Sequence, residues 1–138
     1  MADRVKKVNY AYVTVPNRAG QGEKILHELR QAGVNMLAFT AFPAKAGKSQ
    51  IDIVAENMAA LRRVAKKNDW RLSKTKRGFL VQGKDEVGAV HRLVRKLATE
   101  RVNVTAADAV AAGKGRYGMI LWVKPKDYSR AARLLGAR

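Results

Sequence analysis

The chain has 138 residues, of which 47% are hydrophobic and 28% are charged, a balance typical of a folded globular protein. It contains no cysteine, which excludes disulfide frameworks, thiolate metal sites and cysteine nucleophiles. No apolar run reaches the roughly 18 to 20 residues that a membrane span needs, and residues 8–15 are too polar for a signal sequence. We therefore expect a cytoplasmic protein with no membrane partner.

Basic side chains are in large excess, with 28 Lys and Arg against 11 Asp and Glu, which gives a net charge of +17. The second half of the chain is the more basic half. Such a field attracts any polyanion, so RNA or DNA contact is one interpretation of the composition. The same charge also serves solubility, and there is no uninterrupted basic tail.

The sequence repeats itself with a shift of 68 residues and no gap. Under this shift Val13 falls on Val81, Gly20 on Gly88, and the pair Val34-Asn35 on Val102-Asn103. The matched positions are apolar, Gly or Asn/Asp, which are the positions that packing and backbone geometry restrict most. The chain is therefore interpreted as two copies of one small unit, residues 7–76 and 77–138.

Each copy begins with a β-prone segment, residues 8–15 and 79–82, followed by an amphipathic helix. The second helix carries apolar residues at i, i+3, i+4 and i+7, namely Val90, Leu93, Val94 and Leu97. Copy one repeats this stripe as Ile25, Leu26 and Leu29, but Gly22 takes the place of Val90. This glycine lowers helix propensity and leaves space for a ligand or a partner helix.

A hairpin and a second helix then follow in both copies. Strands are predicted at 34–42 and 50–54 in copy one and at 102–110 and 117–123 in copy two, with glycine in each connection. Second helices are predicted at 57–67 and 125–135, and a fourth strand at 70–75 in copy one. The run Gly113 to Gly118 spells G-x-G-x-x-G, but a strand follows it instead of a helix, so it predicts a hairpin turn.

This order of elements is that of the ferredoxin-like βαββαβ unit, which has an antiparallel sheet with both helices on one face. The fold class is therefore α+β, with two such units, the second of which lacks its last strand. Its sheet has an open edge. Residues 2–7, a neighbouring protomer or the first copy are the three candidates to cover it.

The loop before the first helix of each copy carries Asn or Asp, two further residues and Gly, and 14 residues after that Gly comes Val-Asn. This twofold pattern resembles the ACT domain, a regulatory module attached to amino-acid biosynthetic enzymes such as phosphoglycerate dehydrogenase and aspartate kinase. The resemblance covers residues 7–138. It implies ferredoxin-like units that pair with one another and bind a small effector, commonly an amino acid, at the junction.

In the ACT family the strand-to-helix loop and the start of the second strand contribute to the effector pocket. Carried onto this chain, the resemblance gives the candidate ligand-binding residues Asn17, Arg18, Ala19, Gly20, Val34 and Asn35 in copy one, and Asp85, Glu86, Val87, Gly88, Val102 and Asn103 in copy two. Free N–H groups at a helix start suit a carboxylate.

A plainer interpretation of these residues is that Asn17 and Asp85 only cap the helices that follow them. Glu86 is expected to repel an incoming carboxylate, so the loop of copy one, which holds Arg18 and no acid, is the better anion site. Copy two is then only a structural partner.

Nothing in the sequence predicts catalysis, a cofactor or a metal. The two histidines, His27 and His91, have no second ligand at metal spacing, and no serine or pair of carboxylates stands in a catalytic context. The expected function is a non-catalytic regulatory homodimer that senses a small effector, an amino acid.

Two other functions remain open. Ferredoxin-like sheets can stack bases on exposed aromatic rings, and RNA binding is the first alternative. Its candidate rings are Tyr10, Tyr12, Trp70, Phe79, Tyr117 and Trp122. The second alternative is a structural dimerisation module that serves a partner enzyme and binds no small molecule.

Overall fold

The computed structural model describes residues 3–138, which form six strands and four α-helices. In chain order these are β1 (Arg4–Pro16), α1 (Gln21–Gln31), β2 (Met36–Pro43), β3 (Lys48–Ala55), α2 (Met58–Lys67), β4 (Lys76–Lys84), α3 (Ala89–Thr99), β5 (Val104–Gly113), β6 (Arg116–Val123) and α4 (Tyr128–Leu135).

The chain divides into two compact units. Asn9–Lys76 form the N-terminal unit, whereas residues 3–8 join Arg77–Arg138 to form the C-terminal unit. The strand order is β2-β3-β1 in the first and β1-β4-β6-β5 in the second, so β1 contributes to both sheets. Adjacent strands pair antiparallel in the hairpins of both units. The predicted α+β class with ferredoxin-like units is confirmed.

The core of the N-terminal unit lies between the sheet and its two helices. Ala11 and Val13 of β1 pair with Ile53 and Ile51 of β3 and point to the same face. The predicted stripe of α1 supplies Ile25 and Leu29, and α2 supplies Leu61 and Val64, all of them buried. Alternation along the strands and the 3.6-residue period along the helices thus meet in one apolar cluster.

The predicted fourth strand at residues 70–75 is wrong, because the structure has no regular strand there. The segment still lies beside β1, where Ser73 bonds to Tyr12: the Ser73 amide donates to the Tyr12 carbonyl, and the Ser73 hydroxyl accepts from the Tyr12 amide. A tight turn, in which the Leu72 amide donates to the Trp70 carbonyl, bends the chain just before this contact. A side-chain hydroxyl therefore replaces a ladder bond.

The C-terminal unit has a matching core. Phe79, Leu93, Leu97 and Leu121 are at most 1% exposed. Val5, at 5% exposure, belongs to the same cluster. Residues 3–8 therefore supply the strand that the second copy lacks, in accordance with the first of the three candidates, and β4 is paired along the edge that was expected to be open.

Two sets of bonds hold the segment 3–8 in the C-terminal unit. On one side, the Lys7 amide donates to the Arg138 carbonyl and the Arg138 amide donates to the Val5 carbonyl. At its beginning, the buried Asp3 carboxylate accepts two bonds from Arg92, at 3.2 and 3.3 Å. Gly83 has no side chain and therefore leaves room for Asp3, since a Cβ at this position would collide with the Asp3 carboxylate and the Tyr117 ring.

The structure reproduces the 68-residue repeat in its backbone details. Helices α1 and α3, and strands β3 and β6, have bounds that differ by 68 residues at both ends. The amide of Val34 donates to Leu29 and that of Val102 to Leu97, at 2.9 Å in each case. The register of the β2–β3 hairpin is irregular between Met36 and Ala38, and that of β5–β6 between Val104 and Ala106.

Two further predictions for the second copy concern the connection between β5 and β6 and the helix at residues 125–135. Lys114 and Gly115, within the segment Gly113 to Gly118, form the turn between β5 and β6, so the predicted hairpin is confirmed. The predicted helix at 125–135 is divided: Pro125–Asp127 form a 3-10 turn, and α4 begins at Tyr128. A proline at the first position is compatible with this tighter start. The predicted division of the chain into domains at residues 7–76 and 77–138 stays a prediction.

The longest helices among residues 3–138, α1 and α3, have 11 residues each. This is about half of what a helix needs to cross a bilayer, and no described helix qualifies as a membrane span.

Because residues 3–8 belong to the C-terminal unit, a substitution at Val5 should lower the stability of a core whose other residues begin at Phe79. Val5→Ala is expected to lower the free energy of unfolding by about 2 kcal/mol, because two buried methyl groups are lost from the cluster. Urea denaturation measures this. The matched control is the exposed neighbour Lys6→Ala, which should change stability by less than about 0.5 kcal/mol. Equal effects of the two substitutions would contradict the assignment of this strand to the core.

Candidate functional site

Both strand-to-helix loops end in a left-handed glycine. Gly20, with φ of 89°, precedes α1, and Gly88, with φ of 83°, precedes α3. No side chain caps either helix with a hydrogen bond. Glycine is needed at both positions because other residues adopt positive φ only at a cost of about 1–2 kcal/mol.

Asn17 and Asp85 are not helix caps, so the plainer interpretation of these residues is wrong. The Asn17 side-chain oxygen accepts from the Ser49 hydroxyl at 3.0 Å. The Asn17 amide donates to the Gly47 carbonyl at 2.8 Å, and the Asp85 amide donates to the Gly115 carbonyl at 2.9 Å. In both units the first residue of the loop is therefore tied to the following hairpin turn and does not cap the helix with its side chain.

This arrangement leaves backbone donors available at both helix starts. The amides of Gln21 and Ala89 bond to carbonyls in their own loops. For the next two amides of each helix, Gly22 and Glu23 in α1 and Val90 and His91 in α3, the described residues 3–138 supply no acceptor. These N–H groups and the positive end of the helix dipole suit an anionic group.

A cleft of about 360 Å³ lies at the start of α3 in the C-terminal unit. The loop residues Asp85, Glu86 and Gly88 line one side, and the first turn of α3 continues it through His91. The end of β5, residues 109–111, and Tyr117 of β6 form the other side. The cleft thus brings three of the predicted site residues of copy two together with the uncapped helix start.

The acidic loop of this cleft is partly neutralised. Arg92, one turn into α3, lies 3.2 Å from Glu86 and 3.2 Å from Asp3, so the repulsion expected from Glu86 is reduced by a fixed guanidinium. Burial raises the pKa of the Tyr117 phenol to about 12, and the Asp3 carboxylate beside it acts in the same direction. Tyr117 therefore remains a neutral hydroxyl group at physiological pH.

Val102 and Asn103 do not line this cleft. Val102 is 3% exposed and packs in the core, and Asn103 is exposed outside the cleft. Val87, which is fully exposed, is also absent from the lining.

In the N-terminal unit the predicted residues are separated into two groups. A cavity of about 450 Å³ is lined by Val34 and Asn35 together with Leu26, Arg30 and Met36, and it does not include residues 17–20. The Asn35 carbonyl accepts from the Glu56 amide, and its side-chain amide donates to the Glu56 carboxylate at 3.4 Å. Asn35 thus joins β2 to the end of β3. Arg18 and Ala19 are exposed in the loop.

The space expected beside Gly22 is occupied in part by Ile51. An ideal Cβ at Gly22 would lie 3.9 Å from the Ile51 methyl group, which is an ordinary van der Waals contact. Gly22 is therefore tolerated by the packing but does not open a pocket.

Sequence reasoning missed seven lining residues of the C-terminal cleft: three in the first turn of α3 and four in the β5–β6 hairpin, namely Ala89, Val90, His91, Ala109, Val110, Ala111 and Tyr117. Ala111 pairs with Tyr117 in the β5–β6 hairpin, next to the turn that holds Asp85. The available signal was the G-x-G turn itself, because it brings the end of β5 and the start of β6 to the loop before α3.

Sequence reasoning also missed the buried Asp52 in β3. It is 7% exposed, and its Oδ1 accepts from the Gln50 side-chain amide at 2.9 Å. Burial raises the pKa of the Asp52 carboxyl, against the smaller influence of the Gln50 hydrogen bond and the Lys76 charge. Burial of Tyr10, and after it the negative charge of Asp52, raise the pKa of Tyr10 to about 12. Among residues 3–138 no three His, Asp or Glu side chains form a metal-binding group.

The chain has two ferredoxin-like units with paired strand-to-helix loops, and the solved structures similar to it confirm the predicted resemblance at the level of the fold. The chain is similar to protein BT0572 from Bacteroides thetaiotaomicron (TM-score 0.82, 12% identity, 96% of this chain and 88% of that chain). It is also similar to the ligand-free regulatory subunit of aspartate kinase from Thermus thermophilus (TM-score 0.65, 10% identity, 99% and 95%).

The regulatory subunit of aspartate kinase from Thermus flavus gives a comparable result (TM-score 0.58, 16% identity, 99% of this chain and 95% of that chain). At these identities the similarity concerns the fold. No protein-family model matches the sequence, and no characterised protein matches it at a significant level.

Replacement by alanine should have opposite effects on stability at Gly20, which is left-handed, and at Gly22, which is helical. Gly20→Ala should destabilise the protein by about 1–2 kcal/mol, because alanine is strained at positive φ. Gly22→Ala should stabilise it by up to about 1 kcal/mol, because the position is helical and the added Cβ meets only Ile51 at contact distance. Chemical denaturation of the two variants measures both. The same sign for both would contradict the assigned start of α1.

The buried Asp52 predicts a pH dependence of stability. Because its pKa is raised in the folded state, the protonated form contributes stability that is fully present below the unfolded pKa and is lost as pH rises through the folded pKa. Asp52→Asn should therefore stabilise the protein relative to wild type more at pH 7 than at pH 4, as measured by urea denaturation. Asp108→Asn, on the exposed β5, is the matched control. A larger gain at pH 4 would show that the ionised form is the favoured one.

Proposed function

We propose that this protein is a non-catalytic regulator of the ACT type, cytoplasmic and homodimeric, that binds a small effector, an amino acid, at its strand-to-helix loops. The candidate ligand-binding residues are those before the two helix starts, Asn17 to Gly20 and Asp85 to Gly88. Val34 and Asn35 line a separate cavity, and Val102 and Asn103 lie outside the cleft at α3.

One observation carries the proposal. The C-terminal unit has a concave cleft directly at a helix start that no side chain caps, so the amides of Val90 and His91 are available to a carboxylate. A cleft of about 360 Å³ is within the range of small-molecule sites. The fold similarity to regulatory subunits of aspartate kinase supports a regulatory role.

The polar groups around the cleft suit the two ends of an amino acid. The α-carboxylate is matched by the helix-start amides, and the ammonium group by the exposed carboxylate of Asp85. Glu86 is held by Arg92, which leaves Asp85 as the free acidic partner. On this basis the loop of copy two is the stronger candidate, in contrast to the preference for copy one that the sequence suggested.

The alternative of RNA binding loses its main support in the structure. Of the six candidate aromatic residues, Tyr10, Phe79, Tyr117 and Trp122 are at most 8% exposed. Base stacking requires an accessible ring face, which these side chains do not offer. The remaining alternative, a dimerisation module without a ligand, is distinguished by the following test.

The test is a thermal-unfolding screen with the standard amino acids. At a hundred times its Kd, an effector bound only by the folded state stabilises by about 2.7 kcal/mol. For a chain of this length that corresponds to a rise in Tm on the order of 10 °C. We expect one or a few amino acids to produce such a shift, and gel filtration with light scattering to show a dimer.

A matched pair of variants locates the site. Ala109→Phe fills the cleft from β5 and should abolish the shift, whereas Ala107→Phe, two residues earlier on the same face of the strand and outside the lining, should retain it. If no amino acid at millimolar concentration changes Tm, the dimerisation module becomes the better description. If both variants lose the effect equally, the site lies elsewhere.

A further inference from the structure

A second cleft, separate from the loops described above, opens in the C-terminal unit between the strand of residues 3–8, the start of β4 and the end of α4. Its volume is about 480 Å³. Four cationic side chains line it, together with Tyr128 and Ser129. The four are Lys7, Arg77, Arg133 and Arg138. The lining contains no Asp or Glu side chain.

These cations have no anionic partner within the described part of the chain. Among residues 3–138, the ion pairs within 4.0 Å are those of Arg92 with Asp3 and with Glu86. Bringing several like charges together around one concavity is unfavourable unless an anion neutralises them. A cleft lined by four cationic side chains and by no Asp or Glu side chain is a recognisable anion site.

One of these cations is already held in place. The Arg77 guanidinium lies over the Tyr128 ring, 4.1 Å from its centroid. Tyr128 is itself fixed, because its hydroxyl donates to the Gly78 carbonyl at 2.9 Å and its ring stacks on Phe79 with centroids 4.5 Å apart. A guanidinium stacked in this way loses little further freedom when it binds an oxyanion, which favours affinity.

The carboxyl end of α4 lies at the same cleft and opposes anion binding. Its dipole is equivalent to about half a negative charge, and it acts only over the last turn. The amides of Gly136 and Ala137 also bond to the carbonyls of Arg133 and Ala132. Several full positive charges outweigh this contribution, so the cleft remains positive.

The surroundings of Tyr128 determine what kind of anion fits. One face of the ring is covered by Arg77 and the ring also stacks on Phe79, so the ring is not free to stack a nucleobase. Recognition therefore rests on charge and on the fork geometry of arginine, which matches phosphoryl oxygens.

We propose that this cleft binds a small phosphorylated anion through its phosphoryl groups, with Arg77 and Arg133 as the principal contacts and Lys7 as a third. The site is independent of the effector site at the helix starts.

Isothermal titration of the full chain at about 150 mM salt tests the proposal, with tripolyphosphate, ATP and a ten-nucleotide single-stranded RNA as probes. Tripolyphosphate and ATP should bind with Kd values within roughly fivefold of each other, because the cleft offers no free ring to the base. Arg133→Gln and Arg77→Gln should each weaken tripolyphosphate binding by roughly tenfold or more, since each removes a charge-assisted contact.

The matched control is Arg95→Gln, an exposed arginine of α3 that removes the same charge outside the cleft. It should change the Kd by less than roughly threefold. Arg133 is exposed on α4, so its variant is expected to fold even if Arg77→Gln disturbs Tyr128. Equal losses in Arg133→Gln and Arg95→Gln would overturn the proposal in favour of a general surface field. Binding of the RNA without binding of tripolyphosphate would also overturn it.

Discussion

The edge of β4 sets the main constraint on this molecule. An unpaired strand edge exposes a row of amide and carbonyl groups without partners. The second copy of the repeat contains no strand of its own to pair with β4 along this edge. The chain solves this with residues 3–8, which also bring Val5 into the core and Asp3 to Arg92. The candidate cleft at α3 depends on the same contact, because Arg92 holds Glu86 and Asp3 lies beside Tyr117.

Much of the fold follows from two features of the sequence, the period of its apolar residues and its internal repeat. The stripe Val90, Leu93, Val94 and Leu97 predicts α3, and the 68-residue shift transfers that prediction to α1, where Gly22 weakens the local signal. Residues 70–75 were predicted incorrectly because β-prone composition carries no information on hydrogen bonding: Ser73 meets Tyr12 partly through its hydroxyl. Such a contact depends on tertiary packing.

The candidate site was less predictable than the fold. The glycines at the two helix starts were identifiable, since only glycine readily adopts their backbone angles. Whether Asn17 caps a helix or bonds to Ser49 depends on a hairpin 32 residues away, and sequence spacing does not decide between the two. Asp52 was overlooked because alternation in β3 places it on the face opposite Ile51 and Ile53, a face that a two-layer unit is expected to leave in solvent.

The division of β1 between the two units has a consequence for the order of folding. Asn9–Lys76 are contiguous in sequence and can form their contacts as soon as that stretch of chain is complete. The C-terminal unit instead needs residues from near both extremities, since Val5 and Lys7 bond to Arg138. During synthesis residues 3–8 can complete their bonds in the C-terminal unit only after α4 and Arg138 have been made. The three basic side chains of this segment, Arg4, Lys6 and Lys7, oppose its aggregation in the meantime.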